Sequence, residues 1–226
     1  MMLLALAIAP GLAICLFIYA LDKYDREPVG LLLKCFILGM LCVVLPLVLQ
    51  ALALVFGLQE TNARLIDTAI FAYGVVGLSE ELAKFLVLRL YAYRKKEFNE
   101  PLDGIVYAVM IGMGFATLEN IAYVSRYGFG TGVARMFLSV PAHATFAILM
   151  GYYAGLAKFI PAQRNSLMLR SLLIAVFFHG TFDFFLFTGN NILVLGASVI
   201  TLIIAARLSI KAIRKDVAIS RRVFDR

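Results

Sequence analysis

The sequence predicts an all-α membrane protein, a bundle of about seven transmembrane helices with its amino terminus outside and its carboxy terminus inside. Two observations carry the fold class. Of 226 residues, 62% are hydrophobic and 15% charged, against about 45–50% and about 25% in soluble domains. The apolar residues also fall in runs of membrane length, about 20 residues each. A third observation, the placement of lysine and arginine, carries the direction.

Seven stretches qualify as spans: 2–21, 29–58, 66–92, 102–125, 134–157, 167–188 and 191–208. The first lacks a basic leader and stays apolar to Leu21, so it reads as a retained helix rather than a signal peptide cleaved near Ala13. The second and third are long enough to require tilt or an interfacial extension, and Pro46 loosens the second locally. Gly112 and Gly114 in the fourth, and Gly151 and Gly155 in the fifth, permit close helix approach. Pro141 loosens the fifth locally in the same way. The sixth and seventh are joined by T-G-N-N, a tight hairpin. No repeat or linker divides the chain, so residues 1–226 form one domain, with a motif-bearing core at 66–188 and a basic cytoplasmic tail at 209–226.

Of the 21 lysines and arginines, 16 cluster at one end of these spans and three, Arg64, Arg126 and Arg135, at the other. The rich end is the inside. Its basic tail suits anionic lipid headgroups, and the net charge of +7 therefore implies a bilayer and no nucleic acid. The three cysteines, Cys15, Cys35 and Cys42, lie in apolar runs and form no disulfide framework. Nucleotide-binding loops, CxxC pairs and H-E-x-x-H helices are absent from the sequence.

The informative residues are polar ones inside the spans. Glu80 and Glu81 stand near the middle of the third, followed by Lys84; Glu119 and Asn120 are in the fourth, His143 in the fifth, His179 and Asp183 in the sixth. A charge at the bilayer centre costs about 2.5–3.5 kcal/mol on insertion scales. By rise per residue, the acids and both histidines lie between the midplane and the outer face, the pattern of one buried site. Glu80 and Lys84, four apart, neutralise each other on one helix face, whereas Glu81 points elsewhere and has no partner on its own helix. His179 and Asp183, also four apart, read as an imidazole oriented by a carboxylate or as two metal ligands.

Carboxylates and imidazoles in a low-dielectric site suit acid/base work on water, and they also suit a divalent metal such as zinc. The same residues fit a proton relay in a proton-coupled or ion transporter, or a non-catalytic scaffold. E-E-L-A-K at 80–84, F-A-T-L-E-N at 115–120, His143 and H-G-T-F-D at 179–183 are ordered on successive helices. Together they resemble the E-E-x-x-K, F-x-x-x-E, histidine and H-x-x-x-D motifs of the PrsW family. The wider group of glutamate-dependent proteases that process prenylated CaaX proteins is similar but carries E-E-x-x-x-R, F-x-x-x-H and H-x-x-x-N.

The resemblance implies a bacterial, multi-pass plasma-membrane protease. It implies site-1 cleavage of a membrane-anchored anti-sigma factor in regulated intramembrane proteolysis. It further implies Glu80, Glu81 and His179 as catalytic residues, with Glu80 or Glu81 as general base. Glu119, His143, His179 and Asp183 would hold a metal or stabilise the oxyanion and orient water, supported by Lys84 and Asn120.

Overall fold

The computed structural model describes residues 2–59, 64–189 and 191–224, which are mostly helical with no strand among them. In chain order the helices are α1 (Met2–Leu21), α2 (Val29–Leu41), α3 (Val44–Val55), α4 (Leu65–Ala69), a π-helical stretch (Ile70–Gly77) and α5 (Leu78–Leu90). After a 3₁₀ turn (Ala92–Arg94) come α6 (Pro101–Tyr127), α7 (Phe129–Phe137), α8 (Ser139–Phe159), a second 3₁₀ turn (Pro161–Gln163), α9 (Arg164–Thr188) and α10 (Ile192–Phe224).

Six helical runs among the described residues are long and apolar enough to cross a membrane: 2–21, 29–55, 101–127, 129–159, 161–188 and 192–222. The chain is thus a multi-pass membrane protein. The expected third span, 66–92, is helical but differs in kind. It is divided into α4, the π stretch and α5, each shorter than a crossing, and α5 carries Glu80, Glu81, Lys84 and Arg89. The expected second span bends after Leu41, between α2 and α3. The expected last span ends far too early. The helix runs on through the basic tail because Lys, Arg, Ala and Ile keep good helix propensity after hydropathy has dropped. The T-G-N-N hairpin includes residue 190, which lies outside the described residues.

The helix α6 is the axis of the bundle: 78% of its apolar window is buried, against 22% for α1 and for α10. Pro101 starts it in the favoured first-turn position, and Asp103 accepts the N–H groups of Asn99 and Glu100, each at 2.7 Å. Helix α8 crosses it at glycine. A Cβ on Gly151 would overlap the Gly104 carbonyl, and one on Gly155 would overlap that of Pro101. Gly112 meets the Ala147 side chain in the same interface, while Gly114 lies against the Phe36 carbonyl of α2. These contacts let backbones approach as closely as the glycine spacing suggests.

On the other side of α8, α10 is tied by Ser209 Oγ donating to the Thr145 carbonyl at 3.1 Å. At the basic end, buried acids link three segments. Asp22 accepts the Glu27 N–H at 3.0 Å, Tyr107 Oη donates to Glu27, and Asp103 and Asp216 are fully buried nearby on α6 and α10. Helix α3 is different: it packs on α5 and the π stretch and leaves Val44, Leu47, Val48 and Leu52 exposed.

Candidate active site

The π stretch and α9 set the first half of the site. Gly77 approaches the Gly180 backbone, where a Cβ would sit 3.2 Å from its nitrogen. Tyr73 covers Gly180 and its hydroxyl is 2.8 Å from Thr181 Oγ1. This close seam brings Glu81, four residues past Gly77, onto His179, the neighbour of Gly180: His179 Nδ1 is 2.7 Å from Glu81 Oε1. The other ring nitrogen, Nε2, is 3.1 Å from Asp183 Oδ2 and 3.9 Å from Glu80 Oε2. His179 and Asp183 thus meet at i, i+4 as their spacing suggests.

The two glutamates exchange the places expected of them. Lys84 Nζ donates to Glu81 Oε1 at 2.6 Å, while Glu80 Oε2 is 3.9 Å away. Residues three and four apart are both neighbours on a helix, and here the shorter step wins because His179 already holds Glu81 on the Lys84 side. Glu81, fully buried, is therefore the doubly partnered acid. Glu80 turns to a cavity of about 490 Å³ whose wall includes Gln50, Glu80, Glu119, Arg135, His143 and His179. Its Oε1 accepts from Gln50 Nε2 at 3.4 Å, and its Oε2 is buried without a hydrogen-bond partner.

The second half of the site comes from α6, α7 and α8. His143 Nε2 is 2.9 Å from Glu119 Oε2, and its Nδ1 is 3.3 Å from Lys84 Nζ. Both partners demand the same tautomer: a carboxylate only accepts and an ammonium only donates, so Nε2 carries the hydrogen and Nδ1 the lone pair. Lys84 also sits 4.3 Å over the Phe115 ring, and Phe146 stacks on His179 at 5.2 Å and 24°. The imidazole centroids are 5.2 Å apart. Every site residue singled out in the sequence is within this one assembly, Asn120 included, because Arg135 bridges it to Glu119.

Arg135 and Gln50 were not legible as site residues. Arg135 was assigned to a connection, and Gln50 is a lone amide in a strongly apolar run. Among the described residues, one ligand atom each from Glu80, His143 and His179 lie within 4.8 Å of one another, a spacing suited to a metal ion. The donor chemistry fits zinc, which takes histidine nitrogen and carboxylate oxygen. The buried Glu80 Oε2, without a hydrogen-bond partner, fits a cation there too, since buried charge requires a partner. Of the expected ligands, Glu119 contacts His143 Nε2 and Asp183 contacts His179 Nε2, while Glu80 is the carboxylate that shares the ligand-sized space with both imidazoles.

The sequence is similar to those of known proteins. A family model described as "PrsW family intramembrane metalloprotease" matches residues 27–208. The chain is 36% identical to Protease PrsW of Geobacillus kaustophilus, over 81% of this chain and 79% of that protein. It is 34% identical to Protease PrsW of Clostridioides difficile over 98% and 94% of the two chains, and 33% identical to that of Bacillus subtilis over 84% of each. No solved structure matches.

Proposed function

The chain belongs to the PrsW family of intramembrane metalloproteases, and from that premise we propose that it hydrolyses a membrane-anchored protein at the site formed by Glu80, His143 and His179. One observation carries the assignment: Glu80 is the acid that lines the cavity, has a buried, unpartnered oxygen and shares a ligand-sized space with both imidazoles. Membership in this family gives no support to the transporter reading.

In this reading Glu80 accepts the proton of the attacking water and returns it to the leaving amine. General acid–base transfer of this kind contributes about 10²–10⁴-fold. Glu81 holds His179 through Nδ1, and Glu119 holds His143 through Nε2. Lys84 and Asp183 occupy the remaining nitrogens, His143 Nδ1 and His179 Nε2, and would have to yield them for Glu80, His143 and His179 to hold a divalent metal such as zinc, which would supply a polarised carbonyl and a more acidic water.

The apolar wall of the cavity, with Val43, Pro46, Leu118 and Leu186, suits a substrate segment delivered from lipid. The substrate we infer is an anti-sigma factor receiving its first cut, in the plasma membrane. The asymmetry of lysine and arginine supports an outside amino terminus and an inside carboxy terminus, with Leu65–Leu90 as a seventh, interrupted crossing.

The test is co-expression with a tagged single-span anti-sigma factor, comparing the wild type with Glu80→Gln, Glu81→Gln and His179→Ala. Cleavage that survives all three substitutions removes the catalytic assignment. Loss of cleavage on chelation, restored by zinc, establishes the metal; cleavage unaffected by chelators removes it. A substrate left intact by the wild type while other single-span proteins are cut removes the anti-sigma factor.

A further inference from the structure

The short helix α7 leads into α8 within one apolar run, and its Arg135 is largely enclosed in the site, with 12% of its side chain exposed. The helix is seated firmly. Gly132 lies against the Leu6 side chain of α1 and the Val124 side chain of α6, which would have to shift to admit a Cβ. From this seat the guanidinium reaches three groups. Its Nε donates to Asn120 Oδ1 at 2.6 Å, its Nη2 donates to Glu119 Oε2 at 2.6 Å, and its plane lies 4.1 Å from the Tyr123 ring centroid. The oxygen that takes the Arg135 hydrogen is the same one that takes the His143 Nε2 hydrogen, at 2.9 Å.

We propose that Arg135 is a positioning residue for the proteolytic reaction, acting through Glu119 to hold His143 in the tautomer that leaves Nδ1 with its lone pair. The argument is geometric. Glu119 is the carboxylate behind an imidazole, and such partners set ring orientation and tautomer. A lone carboxylate swings about its own side-chain torsions. Here a rigid guanidinium fork spans Glu119 and the neighbouring Asn120, so the accepting oxygen has one place to be. A lysine supplies the charge without the fork, and a glutamine supplies neither. Because α7 carries Arg135, the placement of that surface helix against α1 and α6 reaches His143 through two hydrogen bonds. This proposal rests on the reading of His143 as a site residue.

The chain contains two histidines and no tryptophan, so imidazole ¹⁵N NMR of histidine-labelled protein in micelles gives two rings, assigned with a His143→Gln variant. The expected wild-type signature for His143 is a protonated Nε2 and an unprotonated Nδ1. Arg135→Gln is expected to admit the other tautomer in part, Lys84 alone then favouring an unprotonated Nδ1, and Arg135→Lys to keep most of the wild-type signature. In cleavage assays Arg135→Gln should lower kcat about 10–100-fold, the range for loss of such partners, with KM within about twofold. Arg135→Lys should recover part of that loss. The Arg135→Gln/Glu119→Gln double variant should be no worse than the poorer single one, because residues acting as one unit are non-additive.

An unchanged His143 signature in Arg135→Gln overturns the proposal, as do additive losses in the double variant, or a raised KM at constant kcat, which marks a substrate contact. If Arg135→Gln does not fold, the lysine variant decides: wild-type tautomer with partial kcat supports the proposal, and an altered tautomer with full kcat overturns it. Failure of the parent reading is seen separately, as cleavage that persists in His143→Gln.

Discussion

Lys84 Nζ lies 2.6 Å from Glu81 Oε1 and 3.9 Å from Glu80 Oε2, so one ammonium is hydrogen-bonded to one of two adjacent acids and stands at the edge of ion-pair range from the other. The consequence is a clean separation of phenotypes. Glu80→Gln should abolish cleavage, by about 10²-fold or more, with the thermal midpoint unchanged or slightly raised. Glu81→Gln should lower both activity and midpoint, since it leaves Lys84 without its nearest counter-charge. Parallel kcat and unfolding measurements check this; equal destabilisation by the two substitutions is the contrary result.

Removing Lys84 should be costly for the fold. Breaking a buried ion pair by deleting one partner costs about 3–5 kcal/mol, and Lys84→Met leaves Glu81 buried between an apolar chain and His179. The double variant Lys84→Met/Glu81→Gln should recover a substantial part of the loss, because no uncompensated charge remains. Unfolding in micelles, with all three variants on one scale, reads the coupling directly.

Stability should fall as pH rises between about 4.5 and about 7. Glu27, in the connection between α1 and α2, is pushed up from 4.5 to about 7, chiefly by burial, while its hydrogen bond from Tyr107 opposes the rise. Burial likewise raises Asp22 and Glu100. A carboxyl raised on folding binds its proton more tightly in the folded state. Its stabilisation is full below 4.5 and lost as pH passes through about 7. Glu27→Gln should flatten that part of the profile. Thermal midpoints measured across pH 4.5–8 decide it, and a rise in stability over this window would run against the expectation.

The crossing of α6 and α8 should tolerate no side chain. Gly151→Ala places a methyl on the Gly104 carbonyl, and overpacking of this kind costs about 1–3 kcal/mol. Activity should fall with it, because α8 carries His143 and α6 carries Glu119. Gly196→Ala, where a Cβ meets nothing within 4 Å, should be neutral in both assays.

Much of the site was legible in sequence because the membrane makes polarity expensive. Glu80, Glu81, Glu119, His143, His179 and Asp183 are conspicuous in apolar runs, and all belong to one assembly. What could not be read is what depends on tertiary direction. Whether Lys84 turns toward Glu80 or Glu81 is a choice between i+4 and i+3 that the approach of His179 makes. Arg135 lies 16 residues from Glu119, in a segment whose charge reads as a solvated turn until α7 is seen to fold back. The acids Glu27, Asp103 and Asp216 sit near helix ends, where charge is ordinarily hydrated, and only packing shows them buried. The π stretch leaves no mark in hydropathy. The length of α10 was underestimated because loss of hydropathy is not loss of helix.

The glycine seam between α6 and α8 also has a mechanical meaning. Two helices in backbone contact have little compliance: neither can slide or tilt without driving main chain into main chain. Glu119 and His143 are therefore mounted on a stiff chassis. Helix α3, which packs chiefly on α5 and the π stretch and presents broad faces outward, contains no glycine and makes no such seam. The softest wall of the cavity is the one bearing Pro46 and Gln50, so deformation admitting a peptide would be absorbed there, leaving the spacing of Glu119 and His143 undisturbed.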